Sequence, residues 1–202
     1  MYTKDAIRFS LDLAEQAMFK TLAKIDDIPL TFPTEAGGCH PLWVLGHLAF
    51  VEGLVYEMLA GGENAAGEWA SLFAPDSIPT DEVAKYPPLK KVRTRYLHLR
   101  QMNLQFLDSL SDADLDKPTS WQPKGAEEHF ATYGKALLTL ALHQMAHRGQ
   151  ITDAIRSAGR AVPIAVGTEA YLRGKSEGLW STSAAPRSQL KPALQPTAPR
   201  TE

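Results

Sequence analysis

Apolar positions recur along the chain at steps of three and four in four separate stretches. Ile7, Leu11, Ala14, Met18, Leu22 and Ile25 mark one side of a first helix, with Thr3 placed to cap its start. The segment DDIPLTFPTEAGG then breaks the pattern with two prolines and two glycines, and reads as a connection. A second helix is expected from Pro41, a residue suited to a first helical position, with Val44, Leu48, Val51, Val55 and Met58 as its apolar stripe and AGGENAAG as its end.

From Trp69 to Pro88 the spacing is irregular, and Pro75, Pro79, Pro87 and Pro88 prevent any long helix, so this stretch reads as a long crossover or lid. Val92, Tyr96, Leu99, Phe106 and Leu110 then predict a third helix from Leu89. Its other face would present Lys90, Lys91, Arg93, Arg95 and Arg100 to solvent. After the loop SDADLDKPTSWQPKG, a fourth helix is expected from about Thr132 to Gly159, with Gly159 at its C-terminal turn. Four amphipathic helices without alternating strand patterns indicate an all-α four-helix bundle with a long irregular connection between its second and third helices. After Trp180 the sequence is rich in Pro, Ser, Thr and Ala, which predicts a bundle domain over 1–180 and a disordered tail over 181–202.

Composition narrows the function classes. Lys and Arg total 21 against 23 Asp and Glu, a formal charge of −2, so no global electrostatic case exists for nucleic acid or an anionic membrane as partner. The single cysteine, Cys39, excludes an intrachain disulfide framework and is consistent with a reducing compartment. No run of about 18 uncharged apolar residues occurs, and Lys4, Asp5 and Arg8 precede any apolar run. The expectation is a soluble cytoplasmic protein.

The chemistry lies in the histidines. The inner stripe of the fourth helix runs Ala136, Leu140, His143, His147, Ile151, Ala154, Ala158, so two imidazoles occupy seam positions one turn apart. An imidazole buried without partners costs about 1–3 kcal/mol, and a shared metal ion compensates both at once. Residues at i and i+4 have Cβ atoms about 5–6 Å apart, which lets two rings converge on one ion at about 2.0–2.1 Å. On the second helix His47 falls three residues after Val44 and four before Val51, on the inner face, and is the best-placed third ligand. An H-x-x-x-H pair alone is a weak pattern; its inward phase and the inward His47 carry the assignment of His47, His143 and His147 as metal ligands.

The other histidines read differently. His40 is two turns from His47, about 10 Å along the axis, too far for the same ion though able to line the mouth of a cavity. His98 reads as a boundary or surface residue, and His129 as loop or first-turn decoration. Cys39 reads as a small semi-buried residue near a helix start. Trp43 reads as core packing, with a wall of the site as the alternative. Arg148 reads as a residue of the bundle edge or of a dimer surface. No convincing general base is visible, because Glu52 points away from His47 and Asp153 sits on the flank of the fourth helix.

HPLWVLGHLAF around His47, HQMAHRGQI around His143 and His147, and the following SAGRAVP resemble the DinB-like superfamily, which includes mycothiol-dependent isomerase-like proteins. The resemblance spans roughly residues 3–165, and the family's histidine triad maps onto His47, His143 and His147. It implies an up-up-down-down helical bundle, often a homodimer, with a divalent metal, commonly zinc or nickel, in an open-sided cavity. Thiol-dependent transferases and isomerases among its members imply a small-molecule substrate and a low-molecular-weight thiol as cofactor. The leading expectation is therefore a metal-dependent thiol S-transferase or hydrolase, and the alternative is a non-catalytic metal-binding stress-response or carrier protein.

Overall fold

A computed structural model describes residues 2–24, 31, 39–157 and 159. They belong to one compact unit, Met1–Val162. The expected boundary at 180/181, the tail beyond it, and Ile25 and Ala158 of the expected stripes lie outside the described residues.

Among the described residues there are four long helices, α1 (Thr3–Leu22), α2 (Pro41–Ala60), α3 (Leu89–Ser109) and α4 (Tyr133–Ser157), with one short α-helix, Ala70–Phe73, four short 3-10 helices and no strand. The stripes read from the sequence face inward: Ile7, Leu11, Ala14 and Met18, then Val44, Leu48, Val51, Val55 and Met58, then Val92, Tyr96 and Leu99, then Ala136, Leu140, Ile151 and Ala154 are all buried. Gly159 follows α4 at φ +75°, the left-handed turn that ends helices on glycine. Thr3 is not the cap of α1. Tyr2 holds that position without a side-chain bond, and the Asp112 carboxylate accepts from the free N–H groups of Thr3 and Lys4 at 3.2 and 3.1 Å.

Cross-helix contacts give the chain direction. Arg8 near the start of α1 pairs with Asp108 near the end of α3, while Phe19 late in α1 meets Tyr96 earlier in α3, so α1 and α3 are antiparallel. Tyr86, just before α3, packs edge-on against His40, just before α2, so these two helices start at the same end. Ser120, on the way into α4, donates to the Met58 carbonyl at the end of α2, whereas His147 late in α4 meets His47 early in α2. The order is therefore up-down-down-up, and the up-up-down-down order implied by the resemblance is corrected. Parallel α2 and α3 require the chain to recross the length of a 20-residue helix, about 30 Å, and residues 61–88 do this.

The crossover also explains the burial of α2. Its predicted stripe covers one face, yet Trp43, Leu45, Ala49, Phe50 and Leu59 are buried as well, because Trp69 and Phe73 of the crossover and Ala66 before them join the same core. A helix apolar on every side needs a cover on every side. By length and composition Pro41–Ala60 is apolar enough to cross a membrane, but 83% of its most apolar window is buried inside the protein.

One residue of α3 departs from expectation. Lys90, Lys91 and Arg93 are exposed, but Arg100 is 1% exposed, turned into the bundle against Glu52. It sits one position past the buried Leu99, on the flank of the stripe, where charge on α2 and an amide on α4 receive it.

Candidate metal centre

His47 is buried on the first turns of α2, and His143 and His147 stand half-buried one turn apart on α4. The three rings meet edge to face, with centroids 4.4–5.1 Å apart. The His143 Nε2 atom lies 3.2 Å from His47 Nε2 and 2.9 Å from His147 Nε2. Three tetrahedral ligands at about 2.0–2.1 Å from one ion are about 3.3 Å from each other, so these separations suit a single shared cation. The sequence assignment of His47, His143 and His147 to one cluster is thus what the fold brings together.

The outer nitrogens fix which atoms face inward. His47 Nδ1–H donates to the Phe73 carbonyl at 2.8 Å, and His147 Nδ1–H donates to Gln150 Oε1 at 2.7 Å. With the proton held on Nδ1, each of these rings turns the lone pair of Nε2 toward the cluster. A proton on His143 Nε2 could serve one of those lone pairs, and a cation serves all three. The His143 Nδ1 atom is buried with no hydrogen-bond partner among the described residues.

Burial keeps the cluster neutral. It pushes the His47 pKa down to about 4, against the lift from the Phe73 carbonyl, with the neighbouring His147 adding to the fall. Burial and the two neighbouring rings push His143 down to about 3. Burial also lowers His147, partly opposed by Gln150. Neutral imidazoles are the form that binds metal, so the site is prepared for a cation at neutral pH.

The second layer comes largely from the crossover. Trp43, 4% exposed, lies flat against His47 and donates its indole N–H to Ser77 Oγ at 3.1 Å. It is at once core and wall of the site. His40, buried rather than at a cavity mouth, accepts the Trp43 N–H on Nδ1 and donates from Nε2 to the Thr80 carbonyl, capping α2. Phe73 is admitted beside α2 by Gly46, where a Cβ would overlap its ring.

Other candidates fall away from the cluster. His98 and His129 are exposed. Burial pushes the Cys39 thiol up, the wrong direction for a nucleophile. Among the described residues Arg148 pairs with neither the cluster nor a carboxylate; its Nε–H donates to Ala17 O and Thr21 Oγ1 at the end of α1. Asp153 is exposed and pairs with Arg156, and Glu52 is held by Arg100. A groove of ≈ 500 Å³ on the outer face of α3, lined by Lys91, Arg95 and His98, includes none of the three clustered histidines.

Two groups that contact the histidines or their neighbours were not singled out from the sequence. The Phe73 carbonyl is a backbone atom and leaves no mark in a sequence. Gln144, fully buried, stands four residues after Leu140 and seven before Ile151, a helical spacing that marks it as inward-facing.

No curated protein matches this sequence. The family profile described as the DinB superfamily matches residues 10–151, a span that holds all three histidines and all or part of every long helix. With an all-helical bundle and a three-histidine cluster inside the matched span, the chain belongs to the DinB superfamily.

Proposed function

We propose that this chain is a divalent-metal protein acting as a metal-dependent thiol S-transferase or hydrolase, with His47, His143 and His147 holding one zinc or nickel ion. The observation that carries this reading is the convergence of three Nε2 atoms, two of them held as lone-pair donors by hydrogen bonds on their far nitrogens. Membership of a typically metal-binding family supports it. A metal ion held there supplies Lewis acidity, drawing a bound thiol to its thiolate or lowering the pKa of bound water.

The protein's own share is orientation and charge balance. The Phe73 carbonyl and Gln150 fix ring tautomers, and Trp43 holds the plane of His47. Three neutral imidazoles leave a divalent charge uncompensated, which favours an anionic fourth ligand. Among the described residues no carboxylate or thiol joins the three rings, so a cation held there would be open to an anion such as a substrate thiolate. Water-based chemistry needs a base, and Glu52 and Asp153 are both committed to arginines. This favours the transferase over the hydrolase. The reading brings with it a small-molecule substrate, a low-molecular-weight thiol and, from the family, a homodimer. The same lack of an acid–base group among the described residues favours, as second reading, a non-catalytic metal carrier.

Metal analysis of untagged protein beside His143→Ala is the first test. One ion per chain in the wild type and most of it missing from a variant that keeps its helical circular dichroism is expected. Equal metal content in both would refute the ligand set. Conjugation assays with a panel of low-molecular-weight thiols then separate the two functions: turnover that disappears with the metal supports the enzyme, and loaded protein without turnover supports the carrier.

A further inference from the structure

Arg100 is fully enclosed, and its position is costly. Its Nη2 forms an ion pair with Glu52 Oε1 on α2 at 2.7 Å and donates to Gln144 Oε1 on α4 at 2.5 Å and to its neighbour Tyr96 Oη at 3.2 Å. The other Glu52 oxygen accepts from Asn103 at 2.7 Å, and Gln144 donates back to Tyr96 Oη at 2.8 Å. Glu15 on α1 stands within electrostatic reach of the same guanidinium, so all four long helices contribute to this layer. Arg100 Nε and Nη1 and Asn103 Oδ1 are buried with no hydrogen-bond partner among the described residues.

Stability does not account for such an arrangement. Buried ion pairs replaced by apolar side chains of similar volume commonly leave a protein as stable or more so, because desolvation offsets the attraction. Position does account for it. The two helices gripped by Arg100 are the two that carry the histidines: Gln144 is next to His143, and Glu52 is five residues, about 7.5 Å, along α2 from His47. α3, which supplies the grip, carries none of the clustered histidines. A metal site needs its ligands held to within about 0.5 Å, and the gap between α2 and α4 decides whether His47 meets the other pair.

We infer that Arg100 is a positioning residue whose guanidinium ties Glu52 to Gln144 and so sets the α2–α4 spacing at which the three histidines converge. The inference rests on the three-histidine metal reading above.

Cobalt(II) is the probe, because its visible absorption reports coordination geometry. Glu52→Leu/Arg100→Met replaces the pair with apolar side chains, so that neither member is left buried without the other. Its melting temperature should be unchanged or higher, while cobalt binds about 10–100-fold more weakly and with an altered visible spectrum. Gln144→Leu keeps the ion pair but cuts the tie to α4, and should weaken cobalt binding in the same way. Gln144→Glu restores an acceptor for Arg100 and should recover most of the affinity. Asp112→Ala, which loosens the far end of α1, controls for general loss of stability and should bind cobalt as the wild type does. Folded Glu52→Leu/Arg100→Met and Gln144→Leu proteins with wild-type affinity and spectrum would overturn the positioning role and leave the metal centre standing. If the first does not fold, Gln144→Leu decides alone. A wild-type protein that takes up no cobalt would overturn the metal centre and the positioning role together.

Discussion

The indole of Trp43 lies 4.7 Å from the imidazole of His47, centroid to centroid, with 8° between the planes. Four residues separate them on α2, so the stack is a contact between adjacent turns of one helix, and the His47 ring is fixed on one face by carbon and at one edge by the Phe73 carbonyl. Trp43→Phe keeps an aromatic face but loses the bond to Ser77, which should cost about 1 kcal/mol and leave metal content unchanged. Trp43→Ala opens a cavity beside His47, should cost about 3–5 kcal/mol, and should weaken metal binding. Urea melts and metal analysis check both. Equal metal affinity in the alanine variant would show that the stack is packing alone.

Gly46 separates α2 from the crossover. A methyl group there would overlap the Phe73 ring, and Phe73 is fully buried, so the ring has no free space to enter and the crossover must move. Its carbonyl moves with it, away from His47 Nδ1. Helix propensity favours alanine over glycine by about 0.8–1.0 kcal/mol, and overpacking costs about 1–3 kcal/mol. The second effect wins, so Gly46→Ala should be destabilised and bind metal less tightly. A more stable protein in thermal melts would show that the crossover yields at no cost to the site.

The four helices and the three histidines were legible because both are written in periodicity: aliphatic seams at steps of three and four, with His47, His143 and His147 in phase with them. Helix order was not, since parallel and antiparallel neighbours share the same stripe; the length of 61–88 holds the relevant information only once it is seen to return to the start of α2. The charge of Arg100 points to solvent when a flank position is read from sequence, and only a facing Glu52 and Gln144 make its burial tolerable. Thr3 has the residue type of a cap, but the carboxylate that serves α1 belongs to Asp112, more than a hundred residues away. The Phe73 carbonyl belongs to no residue type at all.

Asp112 offers a stability test remote from the metal. It accepts from two backbone N–H groups at the start of α1, at the end of the bundle opposite the histidines. Removing such a cap typically costs about 0.5–2 kcal/mol. Asp112→Ala should lower the urea midpoint accordingly, and Asp112→Asn should recover part of it through its amide oxygen. Metal content should be that of the wild type in each. A loss of metal in Asp112→Ala would mean that the start of α1 is coupled to the centre after all.

Acid should destabilise the metal-stripped protein through the same histidines. In the unfolded chain they take protons near pH 6.5, whereas burial holds His47 down to about 4 and His143 down to about 3 in the fold. Between these limits the unfolded state binds more protons than the folded one, so stability is full above about pH 7 and falls as the pH drops. Each such histidine contributes about 1.4 kcal/mol per pH unit across its window. Carboxylates also titrate below pH 5, so the informative quantity is the difference between wild type and His143→Leu. Unfolding free energies from urea melts in the presence of a chelator, taken at pH 7, 6, 5 and 4, should fall less steeply in the variant, by about 1.4 kcal/mol per unit. Parallel curves would mean that His143 takes its proton at the same pH in the folded protein as in the unfolded chain, and that burial does not hold this ring neutral.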